Sequence, residues 1–139
     1  MPYLTNTTSR RIQWGECDPA GIVFYPQYFV LFNDVVEMWF DQLLPGGYAG
    51  LIGQSHVGLP TVRLEAEFKA ISRMGDDVTL SIEVERLGTK SITFRLACTG
   101  RDGDLRMSVL QTIVTTSLET HESIAVPELL RAALGAPAA

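Results

Sequence analysis

Pro26-Gln27-Tyr28-Phe29-Val30-Leu31-Phe32-Asn33-Asp34-Val35-Val36-Glu37-Met38-Trp39-Phe40-Asp41-Gln42-Leu43 is the stretch on which the fold turns. Phe29, Phe32, Val36, Phe40 and Leu43 recur every three or four residues and line one face, while Asp34, Glu37 and Asp41 line another. That period is helical. Pro26 suits the first helical turn, where its missing N–H costs nothing, so the helix start falls at Tyr25 or its neighbour. Pro45-Gly46-Gly47 ends the run.

On the C-terminal side the period changes to two. Val62, Leu64, Ala66, Phe68 and Ala70 alternate with Arg63, Glu65, Glu67 and Lys69, and Val78, Leu80, Ile82 and Val84 alternate with Thr79, Ser81, Glu83 and Glu85. Ile92, Phe94, Leu96 and Cys98 form a third apolar series, and Met107, Val109, Gln111 and Ile113 a fourth. The joints Met74-Gly75-Asp76-Asp77, Leu87-Gly88-Thr89 and Arg101-Asp102-Gly103-Asp104 are short and turn-like, which predicts a four-strand antiparallel meander. On the N-terminal side, Thr8 to Trp14 reads as a first strand, with Ile12 and Trp14 alternating with Arg11 and Gln13. Each strand has one apolar face and only the long helix to cover it, so the expected architecture is α+β, a five-stranded antiparallel sheet wrapped around one helix. Gly46 to Gly58 is expected to be a connection and Pro127 to Leu134 a second, smaller helix. Leu134 to Ala139 is small-residue rich and expected to fray. Residues 1–139 read as a single domain, with a core over about 8–120 and a tail over 121–139.

Composition narrows the function. Among 139 residues, 11 Lys and Arg face 16 Asp and Glu for a net charge of −5, which argues against nucleic-acid phosphates as a partner. Cys17 and Cys98 are the only cysteines, too few for a disulfide scaffold, and a reducing cytoplasm fits them best. Met1 to Arg11 holds no apolar leader, and the most apolar stretch, Ala20 to Phe32, is interrupted by Pro26 and Gln27, so a membrane is not expected. No G-x-S-x-G elbow, phosphate loop or G-x-G-x-x-G is present. His56 and His121 make no metal-ligand spacing, so neither a metal nor a resident cofactor is expected.

The chemically informative stretch is Trp14-Gly15-Glu16-Cys17-Asp18-Pro19-Ala20-Gly21-Ile22-Val23-Phe24-Tyr25-Pro26-Gln27-Tyr28. It sets the Asp18 carboxylate on a constrained loop just before the main helix, among Ile, Val, Phe and Tyr. Unpaired N–H groups at that helix start can polarise a carbonyl and hold a developing oxyanion. Asp18-Pro19 is also a common turn opener, and as a turn it needs no further role. Cys17, without a neighbouring base, reads as a small hydrophobe.

The run Asp18-Pro19-Ala20-Gly21-Ile22-Val23-Phe24-Tyr25-Pro26-Gln27-Tyr28, with its order of strand, Asp loop, long helix and strands, resembles the hot-dog fold thioesterases of the 4-hydroxybenzoyl-CoA thioesterase family over roughly residues 8 to 120. The resemblance implies that a loop aspartate attacks, or activates water against, an acyl-CoA thioester whose carbonyl a helix-start N–H polarises. By position those roles fall to Asp18 and the Tyr25 N–H. It also implies a homodimer in which two sheets join with the helices outside and the active sites at the subunit junction, dimers of dimers being common. Asn33 stands where 4-hydroxybenzoyl-specific members carry aspartate, so the acyl group, aryl or short to medium chain, is left open. Thr61 is the residue placed by resemblance at the acyl pocket, and Arg86 and Lys90, which bracket the third hairpin, are placed at the phosphates of CoA, which is part of the substrate; Lys69 and Arg73 close the second strand, and each of these cations also reads as a plain surface charge. A second branch of similar enzymes uses a helix carboxylate, for which Asp34, Glu37 and Asp41 are available; spacing alone makes them a solvated stripe. Release of an acyl chain from a carrier protein, and a non-catalytic acyl-binding module, are the alternative functions.

Overall fold

The computed structural model describes residues 5–135. Strand β1 spans Thr5–Arg11, helix α1 Tyr25–Leu43, helix α2 Gly47–Gly53 and the short strand β2 Val57–Gly58. Strands β3 (Thr61–Phe68), β4 (Asp77–Leu87), β5 (Ser91–Gly100) and β6 (Leu105–Val114) follow, then the short β7 (Thr116–Ser117) and helix α3 (Glu128–Gly135). The expected α+β hot-dog architecture is present: β1-β4-β5-β6-β3 form one five-stranded antiparallel sheet, curled about α1. None of the helices is long and apolar enough to cross a membrane among the described residues.

α1 buries Tyr28, Leu31, Phe32, Val35, Val36, Trp39 and Phe40, a wider stripe than the single face read from the sequence, on which Phe29 and Leu43 are only half-buried. A sheet that wraps a helix touches it on two flanks, which is why the stripe widens. The centre of the core is aromatic, with Phe94 of β5 edge-on to Trp39 at 6.4 Å and to Phe40 at 6.2 Å between ring centroids. Val78, Leu80, Ile82 and Val84 of β4 and Ile92, Leu96 and Cys98 of β5 complete it.

Four local expectations change. The meander is three strands long, β4-β5-β6, because β3 crosses to the far side of β6 instead of turning back beside β4. Its departing segment is held there by the N–H groups of Lys69 and Ala70, which both donate to the Arg106 carbonyl, and Gly75, at φ 90°, turns the chain toward β1. The first strand lies at Thr5–Arg11 rather than Thr8–Trp14. It is an edge strand whose polar residues carry no apolar period, and a Glu16 carboxylate that accepts the Gln13 N–H at 2.8 Å closes the chain into a turn at Trp14–Glu16. The Gly-rich connection contains α2, anchored by buried Leu51 and by Tyr48 packed edge-on to Phe40. The helix expected at Pro127–Leu134 is α3. Leu134, expected to fray, is fully buried with Leu130 and Val126; the rest of that expectation, residues 136–139, lies outside the described residues.

Candidate active site

The Asp18 loop is a small hairpin. The Asp18 N–H donates to the Ile22 carbonyl at 3.0 Å, the Gly21 N–H returns to the Asp18 carbonyl at 2.9 Å, and Cys17 bridges Val23. Asp at the first turn position, Pro at the second and a left-handed Gly at the fourth suit such a turn; Gly21 has φ 79°, where a side chain is strained. The half-buried Asp18 carboxylate is itself divided. Its Oδ1 accepts the Ala20 N–H at 2.9 Å, and no hydrogen bond from a described residue reaches Oδ2. The turn reading and the reactive reading therefore use different oxygens of one carboxylate.

This hairpin is pinned at both ends. The Phe24 N–H donates to the Glu16 carbonyl at 2.9 Å, and Glu16 is ion-paired with Arg10. On the other side Val23 donates to the Ser72 carbonyl at 3.0 Å, Met74 donates to Gly21 at 3.1 Å, and Ile22 bridges Arg73. Phe24 is the residue before α1, and its carbonyl accepts Gln27 at 2.8 Å. Tyr25 is the first helical residue, so its N–H has no carbonyl one turn back within the helix. The helix dipole adds partial positive charge at that point.

Two cavities open where α1 meets β3. One, about 290 Å³, is lined by Tyr25, Tyr28, Phe68, Ile22, Val23 and the 69–72 segment. Its walls are aromatic, Phe68 standing 6.2 Å from both the Tyr25 and the Tyr28 ring centroids. Burial pushes the Tyr28 phenol above its ordinary value, with the buried Ser72 hydroxyl acting against that shift. The other, about 250 Å³, brings Asn33 and Thr61 together with Phe29, Val30, Leu64 and Gln111. Its polar groups are neutral, and Gln111 Nε2 donates to the Thr61 hydroxyl at 2.8 Å.

The remaining candidates lie elsewhere. Asp18 borders a groove with Trp14, Gly15, Cys17 and Pro19, so within one chain it does not share a cavity with Tyr25. Arg86 pairs across the sheet with Thr93 and lines a groove with Arg63 and Thr112 on the face turned away from α1. Lys90, in the β4–β5 turn, offers its carbonyl to the Thr115 N–H at 2.9 Å. Asp41 has a structural partner, its Oδ1 accepting the Tyr48 N–H at 2.8 Å, while Asp34 and Glu37 are exposed. Both histidines are turn residues at positive φ, 55° at His56 and 60° at His121. The Cys17 thiol is held above its ordinary value by burial and by the charges of Glu16, Asp18 and Asp76, which opposes a nucleophilic thiolate. Burial pushes the Cys98 thiol up to about 11.

Sequence reasoning passed over Gln111 and Ser72. Gln111 left a signal, a polar residue at an inward position between Val109 and Ile113. Ser72 left none, because its burial depends on a crossing that no local period encodes.

The family model described as the thioesterase-like superfamily matches residues 12–134. A 4-hydroxybenzoyl-CoA thioesterase from Pseudomonas sp. (strain CBS-3) is 29% identical over 104 residues, covering 73% of this chain and 74% of its own length. A 1,4-dihydroxy-2-naphthoyl-CoA hydrolase from Synechococcus sp. (strain CC9311) is 27% identical over 128 residues, covering 86% and 82%. Among solved structures, a thioesterase-superfamily protein from Jannaschia sp. CCS1 superposes with a TM-score of 0.86 at 31% identity, over 97% of this chain and 95% of that one.

Proposed function

The chain belongs to the thioesterase-like superfamily, and from that premise we propose that it hydrolyses an aryl-CoA thioester to the free acid and CoA. The curated relatives described above are named for hydroxylated aryl acyl groups, which supports the aryl class. The observation that carries the reading is the braced Asp18 hairpin, with one carboxylate oxygen committed to Ala20 and the other uncommitted, set just before the first turn of α1.

The chemistry follows from that placement. The substrate carbonyl rests against the Tyr25 N–H, which stabilises the oxyanion as the tetrahedral intermediate forms. Asp18 Oδ2 acts in one of two ways. It attacks the thioester carbon, the C–S bond breaks, CoA leaves as thiolate and takes up a proton, and water then cleaves the mixed anhydride. Or it takes a proton from water as that water attacks. Asn33 and Thr61 face the acyl group, and the neutral lining of their cavity favours an uncharged ring substituent over a carboxylate. For the CoA phosphates the resemblance supports Arg86 and Lys90, Arg86 reaching them from the sheet face turned away from α1.

The site is completed by a second copy of the chain. All of β3 is exposed on both faces, and its outer edge pairs with nothing among the described residues. Val62, Leu64 and Phe68, with Tyr25 and Val30 of α1, leave an apolar band along that edge. A long, flat, apolar strand edge invites a further strand, and antiparallel pairing about Leu64 sets Arg63 against the partner subunit's Glu65. Such a dimer sets the cavities at a subunit junction, and the resemblance supports a dimer of such dimers. Cysteine usage supports a cytoplasmic location.

The test is thiol release from a panel of aryl-CoAs and aliphatic acyl-CoAs by the wild type and Asp18→Asn. Asparagine keeps an acceptor for the Ala20 N–H, so the turn survives while the base or nucleophile is lost. The expected fall in turnover is about a hundredfold to ten-thousandfold, with binding of a non-hydrolysable analogue retained. Undiminished turnover in Asp18→Asn overturns the role of Asp18. A wild type silent on the whole panel moves the reading to a carrier-protein substrate or an acyl-binding module.

A further inference from the structure

We propose that Arg106 is the positioning residue of the Asp18 hairpin, acting through the 71–76 segment; this rests on the thioesterase reading above for its kinetic consequence but not for its structural one. Arg106 stands at the head of β6, and its side chain is 16% exposed. Its Nη1 faces three oxygens of the crossing segment: the Ile71 carbonyl at 3.0 Å, the Ser72 hydroxyl at 3.2 Å and Asp76 Oδ2 at 3.1 Å. Its Nε donates to Asp104 at 2.6 Å, and its carbonyl accepts the N–H groups of Lys69 and Ala70. One residue therefore grips the β3–β4 crossing from both its backbone and its side chain.

What that crossing holds in turn is the Asp18 loop. Residues 21–23 lie along residues 72–74 as a two-strand ladder, through Val23 to Ser72, Met74 to Gly21 and the Ile22–Arg73 bridge. Asp76 fastens the end of the ladder, accepting the Arg73 N–H at 2.8 Å on the same oxygen that faces Arg106. The order of support runs from β6 through Arg106 to residues 71–76, then to residues 21–23, and then to the turn at Asp18. A planar guanidinium serves several acceptors in fixed directions, which a lysine does not reproduce.

The sheet also makes room for this side chain. A Cβ on the buried Gly100 would collide with the tips of Arg106 and Asp104, whose side-chain atoms are the three nearest to it. Gly100 is thus the seat on which the guanidinium lies. Gly100→Ala displaces the guanidinium while leaving every charge in place, and the displaced atoms are the free ends of flexible side chains.

The experiment compares wild type, Arg106→Met, Arg106→Lys, Gly100→Ala and Arg95→Gln, the last removing the same charge from the outer face of the sheet, where Arg95 meets Glu85 at 3.1 Å. Amide hydrogen exchange is read at Val23 and Met74 against Ile82 and Leu96 in the core, and kcat and KM are measured on the aryl-CoA that the wild type turns over best. Arg106→Met and Gly100→Ala should speed exchange at Val23 and Met74 without speeding it at Ile82 and Leu96, and lower kcat about tenfold or more with KM within about threefold, as small misplacements of a reactive group do. Arg106→Lys should recover part of the loss, and Arg95→Gln should match wild type. Unchanged exchange at Val23 and Met74 in folded Arg106→Met or Gly100→Ala, or exchange raised equally across the sheet, overturns the proposal. If Arg106→Met does not fold, Gly100→Ala decides the matter. A wild type without thioesterase activity overturns the functional reading alone, and the exchange measurement still judges the clamp.

Discussion

β4 and β3 are written in the same pattern and end in opposite surroundings. Val78, Leu80, Ile82 and Val84 of β4 are all buried, whereas Val62, Leu64 and Phe68 of β3 are 60%, 47% and 51% exposed. β4 lies between β1 and β5. β3 is the last strand, reached by a crossing, and α1 meets it only across the two cavities, which leaves its apolar side chains half-exposed. Alternation therefore names the apolar face of a strand but not what covers it. The covered half of the molecule supplies stability, and the bare half supplies the walls of both cavities, through Phe68 in one and Thr61 and Leu64 in the other.

The sharpest test of that division exchanges like for like. Phe94, in the covered half, is 1% exposed and packed on Trp39 and Phe40. Phe94→Ala should cost about 3–5 kcal/mol, the usual cost of deleting a buried ring. Phe68→Ala deletes the same atoms from a half-exposed site and should cost a small fraction of that in denaturant titrations at low protein concentration. Equal losses would mean that β3 is as well covered as β5, and the comparison would fail.

The same contrast explains how far the sequence could be read. α1, β4, β5 and β6 were legible because their apolar residues make local contacts that impose a period. So was the Asp18 hairpin, whose Asp, Pro and Gly occupy turn positions for backbone reasons alone. β1 was misplaced because an exposed edge strand of Thr, Asn and Ser needs no apolar alternation. The position of β3 was misread because the turn at Met74–Asp77 looks like a hairpin in isolation, while the ladder that holds β3 joins it to β6, more than thirty residues downstream in sequence, with Arg106 of β6 tying down the crossing at Ile71, Ser72 and Asp76. Arg86 and Lys90 read as neighbours of one hairpin, but the face on which Arg86 points depends on the irregularity between Val84 and Arg86, which nothing in the local sequence announces.

A middle-sized effect sharpens the account of the bare edge. Leu64→Lys puts two like charges near the two-fold axis of the dimer proposed along β3, and lysine on a strand edge is itself a guard against pairing. Sedimentation equilibrium should show a dissociation constant raised about a hundredfold, near 3 kcal/mol at 1.4 kcal/mol per tenfold, with the circular dichroism of the folded chain retained. A Leu64→Lys variant that stays as tightly dimeric as wild type would place the contact elsewhere, and β3 would need another cover.

The smallest effect is in acid, and it separates an anchoring ion pair from a decorative one. The Arg73 N–H and the Arg106 guanidinium beside it hold the Asp76 carboxyl below the usual carboxylate range. A carboxylate depressed in the fold contributes stability that is fully present above the unfolded value, about 4, and is lost as pH falls through the folded value. Melting temperatures of wild type should therefore drop more steeply than those of Asp76→Asn as pH falls from about 6 to about 3, and the two curves should converge at the acid end. Glu85 is also depressed, by Arg95, but both side chains are more than 40% exposed, where salt screens the pair. Glu85→Gln should thus follow wild type closely at moderate salt. Parallel curves for wild type and Asp76→Asn would mean that the fold does not hold the Asp76 charge, and the crossing beside the Asp18 loop would lose its electrostatic anchor.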